Sequence, residues 1–157
     1  MKLIAEIKHI PASVVANASG VILKLPRSDF ADQNDPSKAF TTFLRRNPCY
    51  TEYGNPEFSK TQACFEEAII HRMRTIDHML VGGYLCNARV SVSPEFVEVT
   101  ADFSPSGPYR DAVVDLMQSS GQVCLGARFI KDAFGKIVDV PSWDVVVELE
   151  EPTIKLA

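Results

Sequence analysis

Apolar and polar positions alternate or recur at helical spacing along most of the chain, and the richest stretch runs from Val97 to Pro152. Val97, Val99, Ala101 and Phe103 alternate with Glu98, Thr100 and Asp102, the period of a half-buried strand. Ser104-Pro105-Ser106-Gly107-Pro108 breaks that strand, because neither proline has an N–H to give to a ladder. From Tyr109 the residues Ala112, Val113, Leu116 and Met117 predict a helix, and Gly121 ends it. Val123, Leu125, Ala127 and Phe129 then share one strand face, while Cys124, Gly126 and Arg128 share the other. The last predicted strand, Lys136–Glu150, is interrupted at Pro141.

The earlier part of the chain carries weaker patterns. Lys2–Lys8 reads as a short strand, and Val14–Leu25 as a hairpin turning at Asn17-Ala18-Ser19-Gly20. Pro26–Pro36 reads as a polar loop. Ser37–Arg46 reads as a short helix with Ala39, Phe40, Phe43 and Leu44 inward. Two Asn-Pro steps and a glycine make Asn47–Phe58 irregular. Ser59 with Gln62 resembles a capping box, opening a helix whose stripe is Phe65, Ile69, Met73, Ile76 and Leu80 and which stops at Gly82-Gly83. His71, Arg74, Thr75 and His78 would share another face of that helix. Tyr84–Val92 is a strand, returned by Ser93-Pro94-Glu95. The expected architecture is α+β: a small, mostly antiparallel β-barrel with two or three flanking helices, in a single domain spanning 1–157.

Composition narrows the function classes. With 16 basic and 20 acidic side chains the net charge is −4, which offers no footprint for a nucleic-acid backbone. The absence of a long apolar run or signal-peptide pattern gives the expectation of a cytoplasmic chain with no membrane partner. Cys49, Cys64, Cys86 and Cys124 are widely spaced, with no zinc-ligand spacing, so no metal or other cofactor is expected. Phosphate-cradling, dinucleotide and HExxH or GxSxG motifs are missing, and the acids at Glu148, Glu150 and Glu151 read as a solvated strand face.

One constellation could carry chemistry. A thiol nucleophile needs a base, and the base needs an orienting acid. Cys124, His78 and Asp144 supply those residue types, with Asp144 placed by alternation on the wetter face of its strand. The competing reading gives each of the three an unrelated structural job.

From His78 onward the order of elements resembles that of the prohead maturation proteases of tailed bacteriophages, relatives of the herpesvirus assemblin fold. The residues that carry the resemblance are His78, then ADFSPSGPYRDAVVDLMQSSG, then Val123-Cys124-Leu125-Gly126-Ala127, then Trp143-Asp144-Val145-Val146-Val147 and Glu151-Pro152. The resemblance covers about half the chain. It implies Cys124 as nucleophile, where the family uses serine, His78 as base and Asp144 as orienting acid. Gly126 and Arg128 would then bind an oxyanion or substrate. A second register aligns Leu125-Gly126-Ala127-Arg128 with a Phe-Ser-Ile-Arg strand, and Glu52-Tyr53-Gly54-Asn55-Pro56 with a Gly-His-Pro stretch; in it the nucleophile is missing. The resemblance thus implies a capsid-assembly protein, non-catalytic and acting through protein binding. Its alternative is an active cysteine-variant protease that cleaves scaffold or core proteins. An unrelated α+β binding domain is the third possibility. The expected partner is a protein or peptide, with a homo-oligomer possible.

Overall fold

A computed structural model describes residues 3–14, 19–59, 64–121, 123–147 and 153–155. Among the described residues nine strands form one curled sheet: β1 (Ile4–Val14), β2 (Ser19–Pro26), β3 (Cys49–Tyr53), β4 (Val81–Val92), β5 (Phe96–Pro105), β6 (Val123–Lys131), β7 (Ile137–Asp139), β8 (Trp143–Val145) and β9 (Thr153–Lys155). Their order is β2-β5-β4-β3-β8-β6-β1-β9, with β7 on β6. All pairs are antiparallel except β3 with β8. The sheet curls far enough to bring β1 beside β2, giving the barrel-like α+β architecture that the alternation predicts. Among the described residues three α-helices flank it: α1 (Thr41–Arg45), α2 (Glu66–Arg74) and α3 (Arg110–Ser120). Among the described residues, no helix is long and apolar enough to cross a membrane.

The concave side of the sheet holds the main core. Val97, Val99, Ala101 and Phe103 of β5 meet Val123, Leu125, Ala127 and Phe129 of β6 there, with Trp143, Phe40 and Phe43. The Phe43 and Trp143 rings sit edge to face, 5.4 Å between centroids. A smaller cluster of Ala5, Ile7, Ile69, Met73 and Ile130 seals the convex side beneath α2. Strand β6 is therefore buried on both faces.

Several boundaries differ from the sequence reading, each for a local reason. Helix α3 ends as expected, with Gly121 left-handed at φ 76°. Pro141 does split the last strand, separating β7 from β8, while 148–150 lie outside the described residues. The first strand runs on to Val14 and β2 pairs with β5; among the described residues no ladder joins β1 to β2, and positions 15–18 of the proposed turn are outside the described residues. Residues 49–53 form β3 despite the flanking Asn-Pro steps, because Tyr50, Thr51 and Tyr53 favour a strand between two neighbours. The start of the capping box, at Ser59, is described but residues 60–63 are not, and α2 begins only at Glu66. It stops at Arg74, where Thr75 turns extended, well short of Gly82-Gly83. Ile76, His78 and Leu80 are thus off the helix. The two glycines instead open β4, where a Cβ on Gly83 would lie 2.5 Å from Phe103 Cζ and one on Gly82 would lie 2.8 Å from Val113 Cγ2. They let the strand press against its core neighbours.

Candidate functional site

The convex face of β6 carries Cys124, Gly126 and Arg128, as alternation requires. Register aligns Gly126 with Asp144 on β8, and Asp144 with Glu52 on β3, so these residues form one polar row. Arg128 is fully buried beneath the end of α2, as are Glu52 (1% exposed) and Asp144 (0%). Its Nη2 lies 2.6 Å from Asp144 Oδ1 and 2.9 Å from Glu52 Oε2, and its Nε donates to Asp144 Oδ2 at 3.0 Å. Arg72 of α2 donates from Nη1 to Glu52 Oε2 at 2.7 Å and from Nη2 to Oε1. Two guanidinium groups thus face two carboxylates in a charge-balanced cluster.

This cluster also explains where α2 stops. The last carbonyls of a helix have no partner of their own. Arg128 Nη1 donates to the carbonyl oxygens of Thr75 at 2.9 Å and Arg72 at 3.2 Å. Glu52 Oε2 accepts the backbone N–H of Asp77 at 3.0 Å. Arg72 through Asp77 are held by buried side chains instead of continuing the helix.

Burial and pairing push Arg128, Glu52 and Asp144 in different directions. Burial works against the charge of Arg128, but Asp144 and Glu52 outweigh it and hold the guanidinium above its ordinary value. Burial alone would raise Glu52; the hydrogen bond from Arg72 and the charge of Arg128 overcome it, leaving that carboxyl below its usual range. Asp144, fully enclosed and facing the Glu52 charge, is pushed upward by burial more than Arg128 pulls it down.

The residues expected to catalyse are not brought together. Asp144 is not on a wet face: it is fully buried, and its partner is Arg128, not a histidine. Arg128 is equally closed off, with its donors spent on Asp144, Glu52 and helix carbonyls, so it cannot meet an oxyanion. Gly126 is buried between His9 of β1 and Asp144 of β8, inside the ladder. Cys124 is half-buried, and its carbonyl accepts from the N–H of Val146 at 2.9 Å. His78 is exposed at the far end of the same face, its ring edge-on to Tyr50 with centroids 5.5 Å apart. Register puts Cys124 level with Gly54, four residues from Tyr50 along β3. That is about 13 Å along the strands and about 10 Å across two of them, with the Glu52–Arg128 pair between. A thiol and its base need roughly 3–4 Å.

Around His78 lies a cleft of about 410 Å³, lined by Arg46, Pro48, Tyr50, Thr75, Ile76 and His78. The Tyr84 ring stands edge-on to Tyr50, 6.3 Å away. Glu52, Arg72, Arg46 and Tyr50 were not legible as site residues. Glu52 lay in a stretch read as irregular, and Arg72 points where a helix read as longer would have met solvent. A charged residue between Thr51 and Tyr53 on a strand was the available signal. Among the described residues, no group of three or more His, Cys, Asp or Glu is placed to hold a metal ion. No protein-family model, curated protein or solved structure matches this chain, so the reading of the site rests on its own geometry.

Proposed function

We propose that this chain is a non-catalytic protein-binding component, and that the capsid-assembly role implied by its order of elements is carried out by binding, not cleavage. One observation carries the first half. On the polar face where a nucleophile, an oxyanion donor and an orienting acid were expected, the donor and the acid are closed off, with Arg128 and Asp144 at 0% exposure and bound to each other. A buried ion pair whose arginine caps a helix end has a structural job. The exposed His78 and Met79, the latter at 74% exposure, and the half-buried Tyr50 lie beside it as surface suited to a partner, since aromatic and methionine side chains are favoured at interfaces.

The experiment is direct. Wild type, Cys124→Ala and His78→Ala are incubated with casein and with purified phage scaffold, core and shell proteins, reading new chain ends by mass spectrometry and association by light scattering. The expected result is association with at least one head protein and no new ends. Cleavage that disappears in both variants would establish the peptidase instead. Association with none of the head proteins would remove the assembly role.

A further inference from the structure

The arginines around the end of α2 are not equivalent. Arg72 pairs with Glu52, Arg74 with Asp139 at 2.9 Å, and Arg128 with both Glu52 and Asp144. Arg46 lines the cleft and has no carboxylate within ion-pair distance among the described residues. The acid close enough to feel its charge is Asp139, and Arg74 already holds it. Arg46 is not loose, however. Its Nη1 donates to the carbonyl of Pro141 at 3.3 Å and its Nη2 to that of Arg74. A guanidinium held by two neutral carbonyls, beside the Cys49 thiol, meets no counter-charge in them and presents its remaining N–H groups in a set direction.

We propose that this cleft takes an extended acidic peptide segment of a partner protein, with one carboxylate on Arg46 and an adjacent aromatic or proline side chain against Tyr50 and His78. Three features favour that occupant. A planar guanidinium without an acid of its own pairs with a carboxylate through two parallel hydrogen bonds. Tyr50, Pro48 and Ile76 provide apolar contact beside the charge, and His78 offers an exposed ring edge-on to Tyr50. The walls are fixed in advance: the Glu52–Arg72–Arg128 cluster holds Thr75–Asp77 on one side, and β3 holds Tyr50 on the other. Binding therefore loses little to ordering of the site. One fixed cation in a chain of net charge −4 suits a short acidic segment and not a polyanionic backbone.

The inference rests on the protein-binding reading above. It is tested with a fluorescein-labelled peptide, Gly-Asp-Asp-Pro-Phe-Asp-Gly, and its amide twin, Gly-Asn-Asn-Pro-Phe-Asn-Gly. Fluorescence anisotropy gives affinity, and mass spectrometry of each mixture records whether the peptide stays whole. The acidic peptide should bind about tenfold or more tightly than the twin. Arg46→Gln should remove that difference. His78→Gln, on an exposed side chain that does not threaten folding, should weaken the acidic peptide several-fold. Arg110→Gln, paired with Asp111 elsewhere on the surface, should change nothing. The Tyr50 and His78 ring resonances should shift on binding. Equal binding of both peptides, no binding, or loss in Arg110→Gln as large as in Arg46→Gln would overturn the cleft while leaving protein binding elsewhere intact. A peptide cut only when Cys124 is present would instead overturn the non-catalytic reading.

Discussion

The two faces of β6 are built on different physics although they alternate residue by residue. On the concave face Val123, Leu125, Ala127 and Phe129 pack into an apolar core with Trp143 and Phe103, where another apolar side chain of similar volume costs little. On the convex face Arg128 is as deeply buried as Phe129, yet it is held by named partners in fixed directions. Burying apolar area stabilises without specifying much. Burying charge adds little net stability, because desolvation offsets attraction, but it makes every partner indispensable. Here it also dictates where α2 ends and what lines the neighbouring cleft.

The sharpest way to break the comparison is to remove one member from each face. Arg128→Met leaves Glu52 and Asp144 short of a cation and frees the carbonyls of Arg72 and Thr75. It should cost about 3–5 kcal/mol in urea unfolding, with early loss of amide protection in α2. Trp143→Ala removes the largest buried side chain of the other face and should cost about 3–5 kcal/mol as well, from area and cavity. The two should differ in how they combine. Adding Asp144→Leu to Arg128→Met should cost clearly less than the two singles summed, since the second change removes a charge already stranded. A partner change beside Trp143 should show no such recovery. If the Arg128 and Asp144 effects simply add, the two faces work alike.

A smaller effect is expected from Glu52→Gln, about 1.5–3 kcal/mol at neutral pH for a lost charged acceptor. Its pH dependence follows from the direction of the shift. Folded Glu52 sits below its ordinary value, so its contribution is complete above the usual carboxylate range and is lost as pH falls through the depressed value. Asp144, pushed above its ordinary value, acts in the opposite sense and gives back stability on acidification. Unfolding curves between neutral and acid pH should therefore fall less steeply in Glu52→Gln than in wild type.

The smallest effects are expected at exposed residues and thiols. His78→Ala should change stability by no more than about 0.5 kcal/mol, because its side chain is exposed and outside the cluster. Alkylation of the native chain at mild alkaline pH should begin at exposed Cys64 and finish at Cys49, whose thiol burial pushes up to about 11. A dependence of the Cys124 rate on His78 would contradict the separation of those two residues across the sheet.

Local pattern was enough for much of this architecture. Alternation in Val97–Phe103 and Val123–Phe129, the prolines of Ser104–Pro108 and the stop at Gly121 act over a few residues, and β5, β6 and α3 follow from them. The pairing of Cys124, Gly126 and Arg128 on one face was equally legible, since it needs only the two-residue period of a strand. What that face would meet was not. Whether Asp144 is wet or buried depends on which element lies above β8. The end of α2 depends on an arginine more than fifty positions later in the chain. Arg128 reaches Glu52, Arg72 and Thr75 only because β3, β8 and β6 stand side by side, and strand order is set by long-range pairing that no local period encodes. The same pairing separates His78 from Cys124 and leaves Arg46 the cation of the cleft without an acid within ion-pair distance among the described residues. Local chemistry named the residue types, and tertiary contact chose their partners, because an ion pair or a cleft requires approach within a few ångströms from distant parts of the chain.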